Sequence, residues 1–121
     1  MTSVLNVDTI ADKAGTGPVE LTKQSAAKAF IVGTDAAGIT NSLNVGSGTD
    51  NGIGNYSYSY VNNMANSNWC FAGSSEAAAR MLTLDVASVA KDSNGFDVRL
   101  YVHNGNEDDR SHGGQIHGDL A

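Results

Sequence analysis

The run Tyr56-Ser57-Tyr58-Ser59-Tyr60 alternates large and small side chains with a period of two, a spacing that no helix can use. In an extended strand successive side chains leave on opposite faces, so the three tyrosines share one face and the two serines the other. The same rule reads Phe96-Asp97-Val98-Arg99-Leu100-Tyr101-Val102-His103 as a strand with Phe96, Val98, Leu100 and Val102 on its apolar side. Met81-Leu82-Thr83-Leu84-Asp85-Val86 alternates too, which sends Leu82, Leu84 and Val86 inward and leaves Asp85, like Asp97, at a solvated position. Ser42-Leu43-Asn44-Val45 also alternates. Phe30-Ile31-Val32 and Asn68-Trp69-Cys70-Phe71 read as further short strands, and Gln115 to Leu120 as a last one.

Between these runs stand the residues that turn a chain. Fourteen glycines against one proline indicate many turns and few rigid bends. Gly46 to Asn55 reads as a turn-rich connection containing Asn51-Gly52, and Lys91 to Gly95 as a hairpin turn ending in Asn94-Gly95. Asn104 to Gly114 reads as a polar loop. Helix has two short candidates, Gln24 to Ala29 and Glu76 to Arg80, both rich in alanine, which carries the lowest helix cost. About six to eight short strands at 8–12-residue spacing predict a mainly β chain, an antiparallel β-sandwich or β-knob. No internal repeat is visible.

Composition removes several function classes. The net charge is −6 and only seven Lys and Arg are scattered along the chain, so no basic stripe exists to displace counterions from nucleic acid. The apolar runs are a few residues long, too short to insert into a bilayer. Met1 is followed by neither a basic segment nor an apolar one, so no secretory signal is read. Cys70, the single cysteine, rules out an intrachain disulfide and is expected to be a small buried apolar residue beside Trp69 and Phe71.

The first 29 residues form a section apart. Leu5, Val7 and Ile10 lie on the mostly apolar side of one short strand-like run, Val19 and Leu21 on that of a second, and Lys13 to Pro18 is a turn between them. With about seven apolar side chains larger than alanine, this section cannot close a core of its own and must dock on the rest of the chain or on copies of itself. Two units follow: an assembly arm over 1–29 and a β-rich domain over 30–121.

Leu5-Asn6-Val7-Asp8-Thr9-Ile10-Ala11-Asp12-Lys13, continuing through Gly17 to Ala29, resembles the N-terminal segment of small tail-fibre and structural proteins of tailed bacteriophages, especially marine podovirus-like and siphovirus-like ones. Ser42 to Val45 and Thr49 to Tyr56 look like the core of the β-rich module that follows in that group. Asn62 to Asn66 resembles its next strand end, and His117 to Ala121 is similar to the way such proteins close. Two stretches depart from the pattern: Phe30 to Thr34, where an aromatic and a Gly-rich run are usual, and Ser74 to Ala90. The resemblance implies a virion component made in the host cytoplasm, a homotrimer with an extended N-terminal arm, whose partners are its own copies, other virion proteins and a host-surface glycan. Tail fibre is the first expectation; a capsid-surface decoration protein and a monomeric carbohydrate-binding module of prophage origin are the alternatives.

Candidate chemistry is sparse. Glu107-Asp108-Asp109, His112, His117 and Asp119 form an acidic and histidine cluster. Its bland reading is a solvated loop; its sharper one has His112 or His117 presented three times at a trimer axis to hold a divalent metal. The calcium-loop spacing Asp-x-Asp-x-Asp-Gly is absent, as are a Gly-x-Ser-x-Gly elbow, a phosphate loop and a His-Glu-x-x-His helix. No cofactor is expected, and a non-enzymatic role is. The tyrosine ladder Tyr56, Tyr58, Tyr60 serves either as packing in a core or trimer seam, or as a sugar-binding platform.

Overall fold

A computed structural model describes residues 26–86 and 91–121. Within them the chain forms eight strands: β1 (Ala29–Gly33), β2 (Ile39–Leu43), β3 (Val45–Gly52), β4 (Asn55–Tyr60), β5 (Cys70–Ser75), β6 (Arg80–Leu84), β7 (Gly95–Val102) and β8 (His112–His117). They build two four-stranded antiparallel sheets, β2-β1-β8-β5 and β3-β4-β7-β6, packed face to face as a β-sandwich. No helix forms among the described residues, and so none there is long and apolar enough to cross a membrane.

Alternation decides what each sheet buries. Tyr56, Tyr58 and Tyr60 from β4 and Phe96, Val98 and Leu100 from β7 point inward from one sheet, and Ala29, Ile31 and Ile116 from the other. Register sets them in rows, Tyr58 opposite Phe96 and Tyr56 opposite Val98. Phe96 is the hub: its ring lies 5.4–6.5 Å from those of Tyr58, Tyr60, Trp69 and Phe71, in tilted or edge geometries that suit aromatic quadrupoles.

Register also fixes two ends. At one lie Ala29, Leu43, Val45, Tyr60, Cys70 and His117, with Met64 bridging Leu120 beyond them. At the other lie Gly33, Gly52, Ser75, Arg80 and Val102. The described chain therefore enters and finishes at the same end.

Several expectations need correction. Ala26 to Ala29 are not helical: Lys28 N–H bonds the Ile116 carbonyl at 2.8 Å and Ala29 opens β1, since pairing with β8 outweighs the small alanine preference. Gln24 and Ser25 lie outside the described residues, as does most of the predicted arm. Glu76 to Ala79 is a turn in which Ala79 takes φ 57°, and Arg80 opens β6. The chain must here cross from one sheet to the other, and five residues are too few to nucleate a helix.

Gly46 to Gly52 belong to β3, not to a loop, and the hairpin turn is Ile53-Gly54. Gly48 is there for contact rather than turning: a Cβ on it would sit 2.7 Å from the Tyr58 ring. Ser42 to Val45 is broken at Asn44, whose φ of 57° passes the chain between sheets. Its side chain holds the break through Asn62, accepting from N–H at 2.6 Å and donating to C=O at 2.9 Å. The expected loop from Asn104 ends early, because His112, Gly113 and Gly114 already belong to β8. The last strand stops at His117. β6 stops at Leu84, after which Asp85 is buried and Val86 is 58% exposed, the reverse of the expected faces. Cys70 is exposed, because Phe71 takes the inward position of edge strand β5.

Leu100 is fully buried and Met81 is 59% exposed on the neighbouring strand. Leu100→Ala is expected to lower unfolding free energy by about 2–5 kcal/mol, and Met81→Ala by no more than about 0.5 kcal/mol. Urea melts of the two variants measure both.

Candidate functional site

The largest polar group of the interior lies between the sheets. His112, 1% exposed at the start of β8, faces Tyr58 of β4. Its Nδ1 lies 2.8 Å from the Arg110 carbonyl and its Nε2 2.8 Å from the Tyr58 hydroxyl. A carbonyl can only accept, so Nδ1 carries the proton, and Nε2 accepts from Tyr58. Tyr56 stacks on the imidazole with centroids 4.6 Å apart. Its hydroxyl donates to Asp109 Oδ1 at 2.9 Å, with the Asp35 carbonyl 3.0 Å away, and Asp109 Oδ1 also accepts the Gly54 N–H at 2.7 Å.

Burial dominates the titration of this group. It lowers the His112 pKa and pushes Tyr58 up to about 12, with Asp50 adding to the latter. Tyr56 is raised first by burial and then by its bond to Asp109. The imidazole is thus held neutral, its one lone pair is occupied by a hydroxyl, and its faces are covered. Chemically the arrangement is a satisfied buried network that fixes how β4 and β8 sit against each other.

The acidic stretch before β8 is not a solvated loop. Glu107 pairs with Arg99, and Asp108 with Arg80 at 2.7 Å and Arg110 at 3.4 Å, while Asp109 holds Tyr56 and Gly54. The Arg80 bond is the main cause that lowers the Asp108 pKa. Asp85, expected at a solvated position, is 6% exposed and meets Arg99 Nε at 2.7 Å; its bond is the first cause of the raised Arg99 pKa. The contacts of Asp108 and Asp109 clamp the loops at the end opposite the chain entry. Sequence spacing could not reveal them: Arg80 and Asp108 are 28 residues apart, and Tyr58 and His112 are 54 apart.

Other candidates fall out as follows. His112 and His117 occupy opposite faces of β8, His112 toward the core and His117 away from it. Five residues along a strand reverses the side, so they cannot share a metal within one chain, and a buried His112 cannot be presented at an axis. No group of three metal-binding side chains occurs among the described residues. The rings of Tyr56, Tyr58 and Tyr60 are 0–7% exposed inside one chain, which corrects both the sugar-platform and the trimer-seam readings. The inter-sheet core of a single chain is where their alternation places them. Leu5, Val7, Ile10, Val19 and Leu21 lie outside the described residues.

At the entry end, Trp69 Nε1 donates to the Asp92 carbonyl at 2.7 Å, and Lys91 Nζ sits 4.7 Å from the indole centroid and bonds the Trp69 carbonyl. Beside them, an open cavity of about 170 Å³ has a mixed lining, with Ser57, Asp85 and Asp97 facing Trp69, Leu84 and Val86. Sequence reading missed it, because its walls come from four separated segments. It is smaller than the roughly 300–1,000 Å³ usual for small-molecule sites. The fold and these contacts define a two-sheet antiparallel β-domain with a buried His–Tyr network. No family model, curated protein or solved structure matches the chain.

The lowered His112 pKa has a signed consequence. The unfolded chain binds a proton near pH 6.5 and the folded one only lower, so this group leaves stability undiminished above that pH. Below it stability declines, by up to about 1.4 kcal/mol per pH unit, until the folded-state pKa is passed. Unfolding free energies measured from pH 7.5 to 5 should show this slope, and His112→Phe should flatten it. Tyr60 Oη is buried without a hydrogen-bond partner among the described residues. Tyr60→Phe is therefore expected to leave stability unchanged or raise it by about 1 kcal/mol, read from the denaturant midpoint.

Proposed function

We propose that the chain is a structural protein of a tailed-phage virion, a fibre-type subunit that works as a homotrimer. The section before β1 holds it to the particle and to its own copies, and the β-domain is carried outward for attachment to the host surface. The observation that carries this reading is the placement of the two ends. The described chain enters at Ala26 beside exposed Leu43, Val61 and Leu120, an end fit to join something. The opposite end carries exposed Asp35 and Glu76 on its loops and exposed Asp50 on β3, charged positions suited to stand in solvent. The likeness of Leu5 to Ala29 to the opening segment of small phage fibre proteins supports the same direction.

The buried and half-buried ionisable groups add a second support. His112, Asp85 and Asp109 are engaged in holding strands and loops in place, as expected of a subunit selected for a persistent shape.

Particles carrying an epitope-tagged copy, imaged by electron microscopy with a gold label, test the assignment. Label confined to the tail is the expected result. Label spread over the head would make the chain a decoration protein, and purified particles without label would overturn the virion reading.

A further inference from the structure

The two sheets differ sharply in charge. Strands β1, β2, β5 and β8 read AFIVG, ITNSL, CFAGSS and HGGQIH, without a single Asp, Glu, Lys or Arg. The other sheet carries Asp50, Arg80, Asp97 and Arg99. In a chain of net charge −6, an entire uncharged sheet is a strong asymmetry.

Register shows what that sheet presents outward. Ala29, Ile31 and Gly33 face the core, so Phe30 and Val32 face away. Leu43 lies directly opposite Phe30 on one side and Gln115 on the other, with Ala72 next beyond Gln115. The outward surface therefore runs Leu43, Phe30, Gln115, Ala72 across the four strands, with Leu43 48% exposed. Its edges are equally plain. β2 and β5 are the outer strands, and neither holds the charge or proline that ordinarily keeps an open edge from pairing.

We propose that this β2-β1-β8-β5 face is the surface through which copies of the chain associate, three of them turning it toward a common axis. The proposal rests on the trimeric reading above and names the surface that makes it. A copy of the same chain is the occupant that charge favours. Two molecules of charge −6 repel over most of their surfaces, and this face is where they approach without setting carboxylate against carboxylate. Size says that the face does not act alone. Four strands about 4.8 Å apart and five to six residues long make a face of roughly 350 Å², well under the roughly 800 Å² per partner of a stable pair. The chain before Ala26 leads into β1, the strand that carries Phe30 and Val32, so the arm adjoins this face.

The test is sedimentation of the full-length chain over a range of concentrations. The wild-type chain is expected as a trimer. Phe30→Glu and Gln115→Glu each place three like charges around the axis and should raise the dissociation constant at least about tenfold, with added salt partly reversing the effect. Gln115→Glu is nearly isosteric at an exposed position, so it reports on association even where Phe30→Glu disturbs folding. Thr49→Glu, on the outward side of the other sheet, should leave the trimer intact. A wild-type monomer would overturn both the trimeric reading and this one. A trimer unmoved by Gln115→Glu would overturn the face assignment alone.

Discussion

The last two strands hold the molecule together. β8 lies between β1 and β5, and β7 lies between β4 and β6, so each sheet has a C-terminal strand at or beside its centre. Without them the first six strands reduce to two hairpins, β1–β2 and β3–β4, and two strands without a partner. Leu100, Val98 and Phe96 come from β7 and Ile116 and His112 from β8, so the inner layers are also completed from this quarter of the chain. Such pairing joins residues far apart in sequence, Ala29 with Ile116 among them. The entropy of closing those loops is lost before the contacts form, which makes folding of this kind slow.

Polar chemistry inside the sandwich follows from the same arrangement. Bringing β8 against β4 buries an imidazole, and a buried imidazole must be satisfied on both nitrogens. Arg110 supplies the acceptor and Tyr58 the donor. The acidic residues just before β8 then fall beside Gly54, Tyr56, Arg80 and Arg99, and each finds a partner there. A stretch that looks like solvated surface thus becomes the tie between the loops of one end.

The split between a charged and an uncharged sheet gives the molecule two sides as well as two ends. One side carries Asp50, Asp97 and Arg99, the last paired with buried Asp85 and with Glu107. The other offers Phe30, Leu43 and Gln115 with no formal charge. Association and exposure to solvent make opposite demands on a surface, and the two sheets differ along that line.

What the sequence by itself determined is the strand character. The alternation at Tyr56 to Tyr60 and Phe96 to Val102 depends only on the two-residue period of an extended backbone, so faces and inward residues could be read directly. Asn94-Gly95 reads as a hairpin turn, but Gly95 opens β7 and neither residue takes a positive φ. Only the tertiary structure decided what glycine, histidine and carboxylate were for. Gly48 signals a turn in sequence but makes room for Tyr58 across the β3–β4 pair. Asp85 reads as solvated until Arg99 is brought beside it, and His112 reads as loop until Tyr58 faces it. Cys70 reads as buried until its strand proves to be an edge. In each case the deciding partner or position comes from pairing across the sheets, and period and propensity carry no information about which distant strand will arrive.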